Sequence, residues 1–144
     1  MKLTKPLLLA GFSCLAATSL HAVTINWDGG GANNLWSTPE NWSDDLAPTA
    51  SNDYVVDAAT VRSPNSTSFP FDGDSLTIQN GAVLELYRTG GTGTFAKPLT
   101  VSASTLRLNG DANTTTYRLS QPVAFSGACN VDFTLNPGFT GNLY

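Results

Sequence analysis

The side chains that could do chemistry in this chain are mainly carboxylates. The candidate pairs are Asp44 with Asp45, Asp53 with Asp57, and Asp72 with Asp74. Paired carboxylates can cleave glycosidic bonds, but Asp72-Gly73-Asp74 is typical of a turn in which Asp binds its own backbone. No segment has the ligand spacing of a calcium loop. We therefore predict no catalytic residue, no cofactor and no metal ion.

The start of the chain is typical of a secretion signal. Lys2 and Lys5 precede an apolar stretch, residues 7–17, and a short polar stretch ends at Ala22. This layout predicts a signal peptide over residues 1–22, cleaved after Ala22. The apolar stretch is about half of the ~20 residues that a membrane-spanning helix needs. We expect an exported protein, extracellular or at the cell surface, with no membrane insertion of the mature chain.

Cleavage would remove the chain's one histidine, His21. Residues 23–144 then carry five basic and eleven acidic side chains, a net charge of 5 − 11 = −6. Without histidine, Ser-His-Asp and Cys-His catalysis and histidine-ligated zinc are excluded, and the negative charge argues against nucleic acid as a partner. Cys129, the one cysteine left, is predicted to be a buried small side chain rather than a thiol for intermolecular pairing.

Composition and a repeat predict the fold. Thr, Val, Phe and Tyr favour strands, whereas Lys, Glu and Met, which favour helices, are scarce. Three units begin at Leu76, Leu99 and Val123, 23 and 24 residues apart, and a weaker one begins at Tyr54. Each has an apolar-x-apolar doublet, a spacer, and a second doublet centred on Glu85, Arg107 or Asp132. Alternation sends these charged residues to water and their neighbours into one core. The neighbours are Leu84, Leu86, Leu106, Leu108, Val131 and Phe133.

One such unit cannot bury its apolar face alone, but stacked coils can share a core. We therefore predict an all-β fold, a right-handed parallel β-helix of about 3–4 coils over residues 53–144. The alternative is an antiparallel β-sandwich, with hairpins at Asn80-Gly81 and Asn109-Gly110. The segment from Tyr87 to Phe95 is predicted to be a projecting loop.

The C-terminal end of the solenoid is predicted to be truncated. After the unit at residues 123–133 comes a tail rich in Gly and Asn, which is too polar to cap an apolar core. Unpaired strand edges and exposed apolar side chains can pair with those of another chain. We expect self-association through this edge.

All three tryptophans lie in residues 23–52, before the repeats. This segment is predicted to be a Trp-rich N-terminal cap that covers the open end of the solenoid. The alternative is that Trp27, Trp36 and Trp42 stack on carbohydrate.

The opening residues 27–31, the segment 36–43 and Asp53-Tyr54-Val55-Val56 resemble the start of exported bacterial proteins with autotransporter-associated β-strand repeats. Residues 76–86 are similar to one of their early coils. The resemblance implies a passenger-like parallel β-helix at, or released from, the cell surface, and it implies no catalytic residues.

The sequence thus predicts a secreted or surface-displayed, non-enzymatic module with a structural or adhesive role. Its expected partners are surface polysaccharide or further copies of itself. The alternative is a fragment of a carbohydrate-binding or polysaccharide-degrading β-helix protein.

Overall fold

The computed structural model describes residues 22–66, 68–110, 114–135 and 140–143, and this part of the chain forms an all-β solenoid of about three stacked coils. Its strands make three faces, and each strand pairs with the equivalent strand of the next coil. The one helical element of the described part is a 3-10 turn at Pro39–Asn41. The predicted signal peptide, apart from Ala22, lies outside the described residues.

The faces differ in the number of strands. The first face contains β1 (Val23–Asn26), β2 (Asn52–Asp57), β4 (Ser75–Gln79), β7 (Leu99–Ser102) and β10 (Val123–Ser126). The second contains β3 (Thr60–Arg62), β5 (Val83–Arg88), β8 (Thr105–Gly110) and β11 (Asn130–Leu135). The third contains β6 (Gly91–Phe95), β9 (Thr114–Leu119) and β12 (Thr140–Leu143).

The strand register coincides with the sequence repeat. Leu76 pairs with Tyr54 on one side and with Leu99 on the other, and Leu99 pairs with Val123. Every pair of named strands is parallel. The predicted β-solenoid is therefore confirmed, and the antiparallel sandwich is wrong.

The predicted inner row is buried in the middle coils and exposed in the last one. Leu84 and Leu106 are paired in register and fully buried. Val131 and Phe133 continue these rows on β11, but they are 43% and 46% exposed. No described strand covers the outer side of β11. Burying one such apolar side chain stabilises a fold by about 1.5–3 kcal/mol, so the last coil gains less from its core positions than the coils before it.

The corner between the first and second faces has the same backbone conformation in each coil. Ala58, Asn80, Ala103 and Gly127 have φ values of 50°, 56°, 47° and 70°. A left-handed residue at each corner turns the chain from one face to the next, and at Asn80 the following Gly81 also has a positive φ, of 85°. Asn80-Gly81 therefore closes a corner and not a hairpin, while Asn109 and Gly110 end β8.

The third face corrects the prediction of a projecting loop at Tyr87 to Phe95. Gly91–Phe95 is strand β6, which pairs in parallel with β9. A Cβ at Gly93 would overlap the buried ring of Phe69, so glycine lets that ring pack directly on the strand. Part of the predicted tail is also a strand, because β12 pairs with β9.

Candidate functional site

The tryptophans lie largely inside the molecule. Trp42 is fully buried and Trp36 is 1% exposed. Trp42 donates its indole N–H to the carbonyl oxygen of Trp36 at 2.8 Å, and Trp36 donates to that of Pro70 at 2.7 Å. Trp27 is half-buried and packs edge-on against Trp42, with ring centroids 5.0 Å apart. Trp36 and Trp42 therefore offer no ring face on which a sugar could stack.

A small pocket lies beside Trp36, between Pro48 and Phe71. Its volume is about 60 Å³. Pockets that bind organic ligands usually have volumes of about 300–1,000 Å³. The pocket beside Trp36 is too small for a sugar ring.

Two of the six candidate carboxylates, Asp53 and Asp57, link one coil to the next. Asp53 accepts a hydrogen bond from Ser75 Oγ. Asp57 Oδ2 accepts from Gln79 Nε2 and Asn80 Nδ2, both at 2.9 Å. Among the described residues, no group of three His, Cys, Asp or Glu side chains is arranged to hold a metal ion. These aspartates act as polar contacts between neighbouring strands.

The charged centres of the repeat form one row along the outside of the second face, Arg62–Glu85–Arg107–Asp132, which we call the charge ladder. Its signs alternate from coil to coil. Arg62 Nε lies 3.1 Å from Glu85 Oε1, and Arg107 Nε lies 3.1 Å from Asp132 Oδ2. The Glu85 side chain is only 14% exposed, less than predicted, because an arginine flanks it on both sides.

Cys129 is half-buried and packs against the core. Its sulfur lies 3.2 Å from the carbonyl oxygen of Val101 and 3.1 Å from that of Ser126. The predicted burial is therefore only partial.

The outer side of the last coil is an apolar surface, which we call the β10–β11 edge. Phe125 on β10 is 51% exposed, although its register partner Val101 is fully buried. Val131 and Phe133 on β11 are exposed in the same way. Both strands also present unpaired backbone groups on this side, since each ends its face among the described strands.

One residue that sequence reasoning missed is Arg88. Residues 84, 86 and 88 alternate in the same direction along β5, so the period of two places Arg88 on the inward row. It is 8% exposed and lines a pocket of about 300 Å³. The sequence did indicate this inward position, because the alternation of inward residues continues past Leu86 to Arg88.

Comparisons of the chain with protein-family models, with curated proteins and with solved structures found no match. The resemblance to exported β-repeat proteins therefore stays a prediction. Nothing helical in the described part of the chain has the length and apolarity that crossing a membrane requires.

Proposed function

We propose that this chain is an exported, non-enzymatic β-solenoid module with a structural or adhesive role, and that it acts by self-association through the β10–β11 edge. The observation that carries the proposal is the exposure of three core-row residues, Phe125, Val131 and Phe133, at 51%, 43% and 46%. Large exposed apolar side chains that lie together are typical of interaction surfaces.

The occupant that fits this edge is a second copy of the chain. Two copies that meet at their β10–β11 edges bring the same patch together from both sides, as two-fold dimers do. Each edge then supplies apolar side chains and unpaired strand backbone to the other. Asp132, the charged residue of β11, is already paired with Arg107, so contact at this edge does not bury a lone charge.

The test is size-exclusion chromatography with light scattering on the exported chain over a range of concentrations. We expect dimers or larger assemblies whose fraction rises with concentration. Phe133→Lys places a charge in the apolar contact and should weaken self-association at least about 30-fold. The matched control is Leu46→Lys. Leu46 is 60% exposed, but it belongs to the N-terminal segment, far before β10 and β11 in the sequence.

A wild-type chain that stays monomeric at every concentration contradicts the proposal. So does a Leu46→Lys variant that dissociates as readily as Phe133→Lys. Circular dichroism on both variants checks that the strand content is unchanged.

A further inference from the structure

Arg88 differs from the other arginines of the chain in where it lies. Arg62 and Arg107 belong to the charge ladder on the outer face, and Arg118 is exposed. Arg88 occupies an inward position at the end of β5 and is 8% exposed. A charged side chain on a core row is costly unless a partner compensates it.

The partners of Arg88 within the described residues are few. Its Nη1 donates to the carbonyl oxygen of Ser66, but its Nε has no hydrogen-bond partner. No described carboxylate forms an ion pair with it. The Nε is itself buried, so a ligand would meet the Nη groups, and a bound anion is one way to compensate the charge of a guanidinium that has no described carboxylate partner.

The neighbouring glycines leave room for this arginine. A Cβ at Gly91 would lie 3.0 Å from Arg88 Nη2, and a Cβ at Gly93 would lie 3.1 Å from Arg88 Cδ. A side chain at Gly91 would crowd the guanidinium, whereas one at Gly93 would meet the Phe69 ring first and then the stem of Arg88. These two glycines therefore make room for the Arg88 side chain beside the apolar ring of Phe69.

The space in front of Arg88 is a pocket of about 300 Å³, lined also by Asn65, Ser66, Thr89 and Gly90. Asn65 Nδ2 and Thr89 Oγ1 lie 3.3 Å apart, so the amide and hydroxyl groups form one polar wall. The volume is at the lower end of the range of ligand pockets, about 300 Å³. It suits one sugar unit.

We propose that this pocket binds a carboxylate-bearing sugar, such as one uronic acid unit of an acidic polysaccharide. The Arg88 guanidinium presents a planar set of donors that matches a carboxylate. The neutral groups of Asn65, Ser66 and Thr89 supply donors and acceptors for sugar hydroxyls. The whole chain has a net charge of −4, so the attraction for an anion has to come from this site. The proposal is independent of self-association, and either can fail alone.

The test is an NMR titration of the full ¹⁵N-labelled chain with sodium glucuronate, methyl glucoside and sodium acetate. We expect glucuronate to shift the Thr89 and Gly90 amide signals with a millimolar dissociation constant. Methyl glucoside lacks the carboxylate and acetate lacks the sugar, so each should bind at least about tenfold more weakly. No shift with glucuronate up to about 50 mM, which corresponds to binding weaker than ~2 kcal/mol, overturns the proposal. Acetate binding as tightly as glucuronate also overturns it.

Variants assign the binding to the pocket. Arg88→Met should abolish the shifts, and Arg88→Lys should weaken binding about tenfold, because an ammonium lacks the planar donor pair. Arg118→Met removes the same charge at an exposed position and should leave the affinity unchanged. If Arg88→Met does not fold, Asn65→Ala and Thr89→Val at exposed positions should each weaken binding about threefold or more. Equal affinities in these two variants and in the wild type refute the site.

Discussion

Replacing Glu85 by Gln should destabilise the fold by removing the central anion of the charge ladder. Glu85 Oε1 lies 3.1 Å from Arg62 Nε and accepts a hydrogen bond from Asn109 Nδ2 at 3.2 Å, while Oε2 lies 4.0 Å from Arg107 Nη1. Glutamine keeps the size of the side chain and an oxygen for Asn109. What is lost is the charge that faces two arginines, one in the coil on each side.

The expected loss of stability in the Glu85→Gln variant depends on how exposed the two arginine partners of Glu85 are. Two unit charges about 4 Å apart attract each other by ~4 kcal/mol at an effective dielectric constant of ~20. The Arg62 and Arg107 side chains are 31% and 34% exposed, so solvent screening reduces this strongly. Arg62 Nε also makes no aligned hydrogen bond, which leaves its attraction to Glu85 Coulombic. We expect a loss of about 1–2 kcal/mol in the free energy of unfolding.

The assay is urea unfolding at about pH 7, in low salt and in about 1 M NaCl, where the Debye length is ~3 Å. The control is Glu40→Gln, the same change at the exposed glutamate of the 3-10 turn, which should cost less than about 0.5 kcal/mol. The difference between the two variants should shrink in high salt. Equal unfolding free energies for the two variants in low salt refute the reasoning, and so does a difference that salt does not change.

Two further predictions concern the third face and the start of the mature chain. Gly93→Ala should cost about 1–3 kcal/mol, because its Cβ overlaps the Phe69 ring. Phe69→Leu should recover part of that loss in the double variant, and thermal unfolding that finds the two losses simply additive counts against this packing. N-terminal sequencing of exported protein should begin at Val23 or within a few residues of it. Extracellular protein that retains Met1 contradicts the signal peptide.

The first and second faces could be predicted from the sequence because their signal is local. Apolar residues such as Leu84 and Leu86 alternate with charged ones, and the spacing of the units equals the register of the coils. The third face carries no such pattern. Gly91–Phe95 begins with glycine and threonine, and its role depends on a ring at Phe69, more than 20 residues earlier in the chain. Contacts of that kind cannot be inferred from a single stretch of sequence.

The candidate sites also show which side chains carry information about function. In the sequence, the three tryptophans favour the hypothesis of a surface on which sugar rings stack. In the structure, Trp36 and Trp42 are large apolar groups that the first coil needs for its own core. Burial of such residues is the ordinary outcome. A buried arginine on an inward row and an exposed phenylalanine on an inward row are the exceptions. Arg88 differs from the apolar residues Leu84 and Leu86 that precede it on its row, and Phe133 differs from its buried register partner Leu108, and this is why binding is sought at these two places.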